Sequence, residues 1–217
     1  MKDNLRLKKI VGMIDKGMVV ADIGTDHAFL PVMLVRDGIS DRVYACDVAQ
    51  GPLQAAKENI AHFQMTDKIT TILTDGLRDV PSDVNCIVIA GMGFVTAKGI
   101  LERDFDRLKQ MKQIVVEVNR DTVSMRKWIS QKCFTIKDEV YVNDRNHDYV
   151  TICFDTSYHV PYTEEECILG PVLIQKKEKE YMAYIAARIA KMEHILSVSG
   201  NENELLQKEL FILKNYN

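Results

Sequence analysis

Four aspartates, each set just after a short apolar run or inside the turn that follows it, give this sequence its chemistry. Asp22 and Asp26 flank Gly24 in Asp22-Ile23-Gly24-Thr25-Asp26-His27, Asp47 follows Val43–Cys46, and Asp75 stands beside Gly76 after Ile69–Leu73. A glycine at the first of these turns lets the backbone fold tightly and approach a ligand with no side chain in the way. The dinucleotide fingerprint Gly-x-Gly-x-x-Gly is missing two of its three glycines here, and a pyrophosphate would meet two carboxylates instead of a cradle of N–H groups. A sulfonium or an α-amino group would be attracted by the same pair. Asp47, 25 positions after Asp22, suits the two hydroxyls of a ribose. Asp75 with Gly76 suits the exocyclic amine of an adenine, and Gly91, Met92 and Gly93 open the backbone after a fourth apolar run. Each feature alone is ordinary turn chemistry. Acidic tips after three successive runs, in this order, point to S-adenosylmethionine.

The elements that must position these residues are legible from residue 18 onward. Val19–Ile23, Val43–Cys46, Ile69–Leu73, Cys86–Ala90 and Ile114–Val118 read as buried strands. Ala28–Arg36, Pro52–Phe63, Val95–Leu101 and Val123–Gln131 read as the helices between them, which predicts right-handed βαβ crossovers and a parallel sheet covered on both faces. Phe134–Val142 and Tyr149–Phe154, separated by the polar turn Asn143–Asp148, read as an antiparallel hairpin closing one sheet edge. Ligands of such an open sheet sit outside the carboxyl ends of its strands, where all four aspartates fall. Ser157–Thr163 reads as a linker, and from Glu164 the pattern is helical. Met182, Ile185, Ile189, Met192 and Leu196 step by 3 and 4, and Leu206, Leu210 and Leu213 repeat the stripe after a stop at Ser199-Gly200-Asn201. Two antiparallel helices with facing stripes are expected. The division is 1–158 for the α/β domain and 159–217 for a helical, coiled-coil-like unit.

Composition narrows the function. The 217 residues are 47% hydrophobic and 27% charged, a globular balance, and no apolar run reaches the ~18–20 residues of a membrane span. The five cysteines are odd in number and never spaced Cys-x-x-Cys, and the five histidines have no ligand spacing, so neither a disulfide framework nor a metal site is expected. A cytoplasmic monomer is the expectation, although the helical stripe would serve self-association as readily. A net charge of −3 does not advertise a nucleic-acid binder. A polyanion would have to be held by local clusters: Arg6, Lys8 and Lys9; Arg103, Arg107, Lys109 and Lys112; or Lys176, Lys177 and Lys179. Each reads more readily as a solvated helix face.

Ala21-Asp-Ile-Gly-Thr-Asp-His-Ala-Phe-Leu-Pro31, Ile87-Val-Ile-Ala-Gly-Met-Gly93 and, more weakly, Leu169-Gly-Pro171 resemble the bacterial TrmK family over most of the chain. The resemblance implies a Rossmann-like class I methyltransferase sheet, mostly parallel with an antiparallel last strand, and a C-terminal helical domain. It implies S-adenosylmethionine-dependent methylation of N1 of adenine 22 in tRNA. By position it puts Asp22, Gly24, Asp26 and His27 on the methionine side of the cofactor, Asp47 on the ribose, and Asp75 and Gly76 on the adenine. Gly91, Met92 and Gly93 become the floor where donor methyl and target base meet. Two departures stand out: Phe94 where the family has a further glycine, and Glu117-Val118-Asn119 where it has Gln-Pro-Asn. Asp47 replaces a glutamate.

The implied reaction asks for little acid–base chemistry. N1 of neutral adenine carries an in-plane lone pair, so the protein must align the atoms and place negative potential near a base that becomes cationic. Asp26 and Asn119 are the candidates for that work. N1 is also the pairing face, so the base must be unstacked, and Phe94, Tyr149 or Phe29 could receive it. Trp128 reads as core, and His27 as a helix-start hydrogen-bonding residue as much as a catalytic one. Two alternatives stay open: a methyltransferase for another RNA site, and a catalytically silent module that binds RNA or nucleotide on the same fold.

Overall fold

The computed structural model describes residues 4–199 and 203–216. In chain order the elements are α1 (Leu5–Met13), β1 (Val20–Ile23), α2 (Phe29–Arg36), β2 (Val43–Asp47), α3 (Gln50–His62), β3 (Ile69–Leu73), β4 (Cys86–Met92), α4 (Phe94–Arg103), α5 (Phe105–Leu108), β5 (Gln113–Val118), α6 (Thr122–Gln131), β6 (Phe134–Asp144), β7 (His147–Tyr158), α7 (Glu164–Leu169), α8 (Pro171–Lys176), α9 (Lys179–Ser199) and α10 (Glu204–Tyr216). Seven strands form one sheet in the order β3-β2-β1-β4-β5-β7-β6. The first five are parallel, and β7 runs antiparallel to both its neighbours. The chain winds from β1 outward to β3, then returns to start β4 on the other side of β1. That reversal opens a crevice above the carboxyl ends of β1 and β4.

The apolar strands lack alternation because helices cover both of their faces. Ile87, Ile89, Leu101, Ile114, Trp128 and Phe154 fill one layer, and Ile10, Met33, Leu34, Val88 and Val115 fill the other. Trp128 is core, as its sequence setting suggests, and its indole donates to Glu102 at 2.9 Å. The hairpin strands are longer than the apolar pattern indicates. The ladder runs to Asp144 opposite His147, so the turn is only Arg145-Asn146, both left-handed (φ 52° and 63°). That two-residue geometry normally announces itself with a glycine, and none is present.

The helical unit begins with two short helices that the reading from sequence merges into one pattern. They break at Gly170, whose φ of 86° and crowded surroundings admit no side chain: a Cβ there would lie 2.5 Å from Nη2 of Arg126 and 2.9 Å from Oε2 of Glu139. Arg126 from α6 and Glu139 from β6 form a buried ion pair at 2.6 Å. The other oxygen of Glu139 accepts from the N–H groups of Val172 (3.0 Å) and Leu173 (3.4 Å), capping α8 from outside where Gly170 has no side chain to do it. Leu169-Gly170-Pro171 is therefore the fastening of the helical unit onto the sheet. Beyond it, α9 packs against α10 along the expected stripes. Ile185, Met192, Leu196 and Leu213 are buried, and Met182, Ile189, Leu206 and Leu210 are half-buried. Of the expected stop, Gly200 and Asn201 lie outside the described residues.

Candidate active site

Asp22 is the penultimate residue of β1 and only 6% exposed. Burial pushes its carboxyl up to about 6, against the pull of Thr25 and Arg6 and with a small push from Asp47. The buried hydroxyl of Thr25 stands beside Asp22 and lowers its carboxyl, without a hydrogen bond of regular geometry to any described residue. A desolvated carboxylate beside a buried hydroxyl suits a cationic, hydrogen-bonding ligand. Gly24 follows with φ 80°, held by its N–H on the carbonyl of Cys46 at 2.8 Å. The methyl carbon of Met92 lies 2.1 Å from where a Cβ on Gly24 would stand. Met92 thus rests on the bare face of the glycine.

Two cavities share Gly24. One, of about 310 Å³, runs past Asp47, Thr74, Asp75 and Gly76 toward Met92 and α4, with the exposed side chains of Val48 and Val95 on its walls. The other, of about 250 Å³, is lined by Asn4, Arg6, Asp22, Asp26, Phe29 and Ala90. Asp47 uses one carboxylate oxygen to hold the turn, accepting from the N–H of Ala49 at 2.8 Å. Asp75 is engaged by Arg103, whose Nη1 lies 2.8 Å from Oδ2 and whose Nη2 donates to the Asp75 carbonyl at 2.7 Å. Asp104 adds a bond from the N–H of Leu77 at 2.9 Å, so the end of α4 clamps the turn after β3. Arg103 occupies the space beside Gly76 that a side chain would need.

Asp26 reaches the second cavity with a side chain 82% exposed, 3.3 Å from Nε2 of His27. His27 has further partners of its own. Its ring stacks on Phe29, its carbonyl accepts from Asn59 at 2.7 Å, and it lines neither cavity. His27 and Ala28 are both left-handed (φ 55° and 52°), which brings the chain sharply into α2 with no side-chain cap. Asn119 lies across the Gly91–Gly93 segment, donating from Nδ2 to the carbonyl of Gly91 at 2.8 Å, with its own N–H on the carbonyl of Met92 at 2.9 Å. It borders a third cavity, about 480 Å³, between the tip of β5 and the helices α9 and α10. Gly93 ends the segment as the N-cap of α4.

Sequence reasoning groups Arg6 with surface lysines and misses its actual place. Its Nε donates to Glu117 at 2.7 Å, its guanidinium lies 5.1 Å over the ring of Tyr149, and Nη2 passes 3.0 Å from where a Gly91 side chain would begin. Glu117 is fully buried, with burial raising its carboxyl and Arg6 lowering it. At least half of the residues in the expected phosphate-binding clusters are engaged within the protein in the same way. Arg103 holds Asp75, Arg107 donates to the carbonyls of Pro81 and Val84, Lys109 pairs with Asp106, and Lys176 pairs with Asp138 and the Glu139 carbonyl. Phe94 also departs from expectation: half-buried at the start of α4, it packs into the main core and lines none of the three cavities.

The chain is 27% identical to the tRNA (adenine(22)-N(1))-methyltransferase of Bacillus subtilis (strain 168) over 188 residues, 84% of this chain and 79% of that one. M. capricolum TrmK, solved with S-adenosyl-homocysteine, superposes with a TM-score of 0.85 at 27% identity, covering 100% of this chain and 98% of that one. A Streptococcus pneumoniae protein solved with S-adenosyl-L-methionine superposes at 0.89 with 25% identity, covering 98% of each chain. A NADB-Rossmann superfamily protein from Streptococcus agalactiae superposes at 0.90 with 27% identity, covering 100% and 97%. The family model for tRNA (adenine(22)-N(1))-methyltransferase matches residues 20–214, from the first strand to the last helix, and the chain belongs to the TrmK family.

Proposed function

We infer that this protein transfers a methyl group from S-adenosylmethionine to N1 of adenine 22 in tRNA. The observation that carries the reading is the pair of cavities meeting at Gly24, with Asp22 and Asp26 in one and Asp47 and Asp75 in the other. When bound, S-adenosylmethionine supplies an electrophilic methyl on a sulfonium. In this assignment Asp22 and Asp26 face the cationic amino-acid end, Asp47 meets the ribose with its remaining oxygen, and Asp75 and Gly76 flank the adenine between Val48 and Val95. Met92 marks the junction, and the Gly91–Gly93 segment is the floor under the reacting atoms. His27 supports the turn through Phe29 and Asn59 without touching the ligand.

Asp26 is the carboxylate nearest solvent in this arrangement, and it supplies negative potential as the target base becomes cationic. Asn119 reads the base edge. Its Nδ2 is committed to Gly91, so its carbonyl oxygen is the end that accepts from the adenine amine. The target nucleotide enters beside Asn119, from the cleft between β5 and the helical unit, where Arg120 has no ion-pair partner among the described residues. Unstacking the base costs a few kcal/mol, offset by its new contacts and by phosphate contacts elsewhere on the tRNA. Residues 1–158 act as the catalytic domain and 159–217 as the unit that meets the tRNA body. We place the protein, as a monomer, in the cytoplasm. No helix among the described residues is long and apolar enough to cross a membrane, and the five cysteines are free thiols.

The test is transfer of labelled methyl from S-adenosylmethionine to unmodified tRNA, followed by mapping of the marked nucleotide. Label at N1 of adenine 22 is expected. Label at another nucleotide overturns the site assignment, and cofactor binding without transfer to any tRNA pool overturns the enzymatic reading.

A further inference from the structure

We propose that the cleft between α6 and the helical unit is a second nucleotide site, which takes the RNA residue adjoining the target with its phosphate on Arg120 and its base on Tyr184. This rests on the tRNA reading above and goes beyond it by giving the target's neighbour a place of its own. Drawing one base out of a stack leaves the adjoining base with a bare face, and an aromatic side chain restores the lost contact. The cavity beside Asn119, about 480 Å³, has the size of a small-ligand pocket (~300–1,000 Å³) and is separate from the two that meet at Gly24.

Charge in the cleft points to Arg120. Four of the five cations in its wall are neutralised within the protein: Lys127 and Lys208 by Glu164, Arg188 by Glu209, and Arg126 by Glu139. Arg120, exposed and next in the chain to Asn119, has no ion-pair partner among the described residues. Beside it α6 opens with Thr122, Val123 and Ser124 in the cavity wall, and its N-cap Asp121 makes no side-chain bond to their amides. A guanidinium next to uncapped amides suits a phosphate, with the Asp121 carboxylate in the same wall opposing it. The second, independent feature is Tyr184 from α9. It is half-buried, with its ring braced by Tyr141 at 4.9 Å and Tyr181 at 5.9 Å between centroids. Tyr184 lines this cavity and a neighbouring one of about 400 Å³ that shares Asp148, Arg188 and Glu209 with it. A braced, partly open ring is a platform on which any base can stack.

The test measures tRNA binding by fluorescence anisotropy over a series of salt concentrations, together with methyl transfer to the same tRNA. An abasic residue immediately before or after adenine 22 removes one neighbouring base at a time. One of these two tRNAs should bind the unaltered protein about 5- to 150-fold more weakly than intact tRNA, the range of a base–aromatic stack. With Tyr184→Leu the same tRNA should bind within about threefold of intact tRNA, and Tyr184→Phe should behave as the unaltered protein. Arg120→Gln, at an exposed position, should lower the slope of log affinity against log salt by about one, and Asp121→Asn should tighten binding. Affinity for S-adenosylhomocysteine, by calorimetry, should be unchanged in Tyr184→Leu and Arg120→Gln. Abasic tRNAs that lose the same factor with Tyr184→Leu as with the unaltered protein overturn the base assignment, and an unchanged salt slope in Arg120→Gln overturns the phosphate assignment. Lost cofactor affinity in either variant shows an effect reaching beyond the cleft and overturns both. An unaltered protein that neither binds nor methylates intact tRNA overturns the functional reading itself.

Discussion

Replacing Asp22 by asparagine should make the protein more stable and less able to bind its cofactor, with a pH signature that follows from burial. A carboxyl raised from 3.8 to about 6 in the folded state favours the protonated folded form. The associated stability is complete below 3.8 and is lost as pH rises through about 6, reaching about 3 kcal/mol of loss at neutral pH. Asparagine has no charge to lose, and the Thr25 hydroxyl beside it offers its amide a neighbour. The advantage of Asp22→Asn should therefore grow from about 1.5 kcal/mol at pH 5 to about 3 kcal/mol at pH 8. At ~2–4 °C per kcal/mol for a chain of this size, the melting temperature at pH 8 should rise by about 6–12 °C. Urea titrations at several pH values between 5 and 8 measure the trend. Cofactor affinity should fall by roughly 10- to 100-fold at pH 8, since a cationic ligand loses a charged partner. In the unaltered protein that affinity should weaken below pH 6, where a proton must leave Asp22 for the ligand to bind. An advantage that stays flat from pH 5 to 8, or undiminished binding by the variant, refutes the claim that a desolvated carboxylate awaits a cation.

Gly24→Ala should weaken cofactor binding at least tenfold by calorimetry and cost about 1–2 kcal/mol of stability, because φ is 80° and Met92 fills the space a methyl would take. Arg103→Ala frees Asp75 and loosens the turn after β3; cofactor affinity should change while the urea midpoint moves by no more than the ~1 kcal/mol of an exposed pair. Glu139→Gln strands Arg126 in the core and should cost about 3–5 kcal/mol in urea unfolding, and a variant that unfolds like the parent would show that the pair holds nothing.

Much of this was readable along the chain because the relevant information is local. The strands from Val20 to Val118 are apolar runs bounded by turn residues, and Asp22, Gly24, Asp47 and Asp75 stand at their ends because the turns that follow sit at the mouth of the crevice. What escaped detection depends on distant pairs. Arg6 finds Glu117 across 111 positions, Arg103 finds Asp75 across 28, and Arg126 finds Glu139 across a helix and a strand. No periodicity announces such partners, so Arg6 and Arg103 read as members of surface clusters. Phe94 packs against the core through neighbours on other elements, which its own sequence setting does not announce. The Arg145-Asn146 turn lacked the glycine that would have given it away.

The joint made by Arg126, Glu139 and Gly170 has a consequence for the nucleic acid. Three separate elements meet there with no room for a methyl group, and the cleft beside Asn119 lies between the sheet and the unit fastened at that joint. If the target nucleotide enters by that cleft, as proposed above, and the joint holds its shape, the burden of bending falls on the RNA, and tRNAs whose fold loosens most readily around the target should be the ones modified fastest.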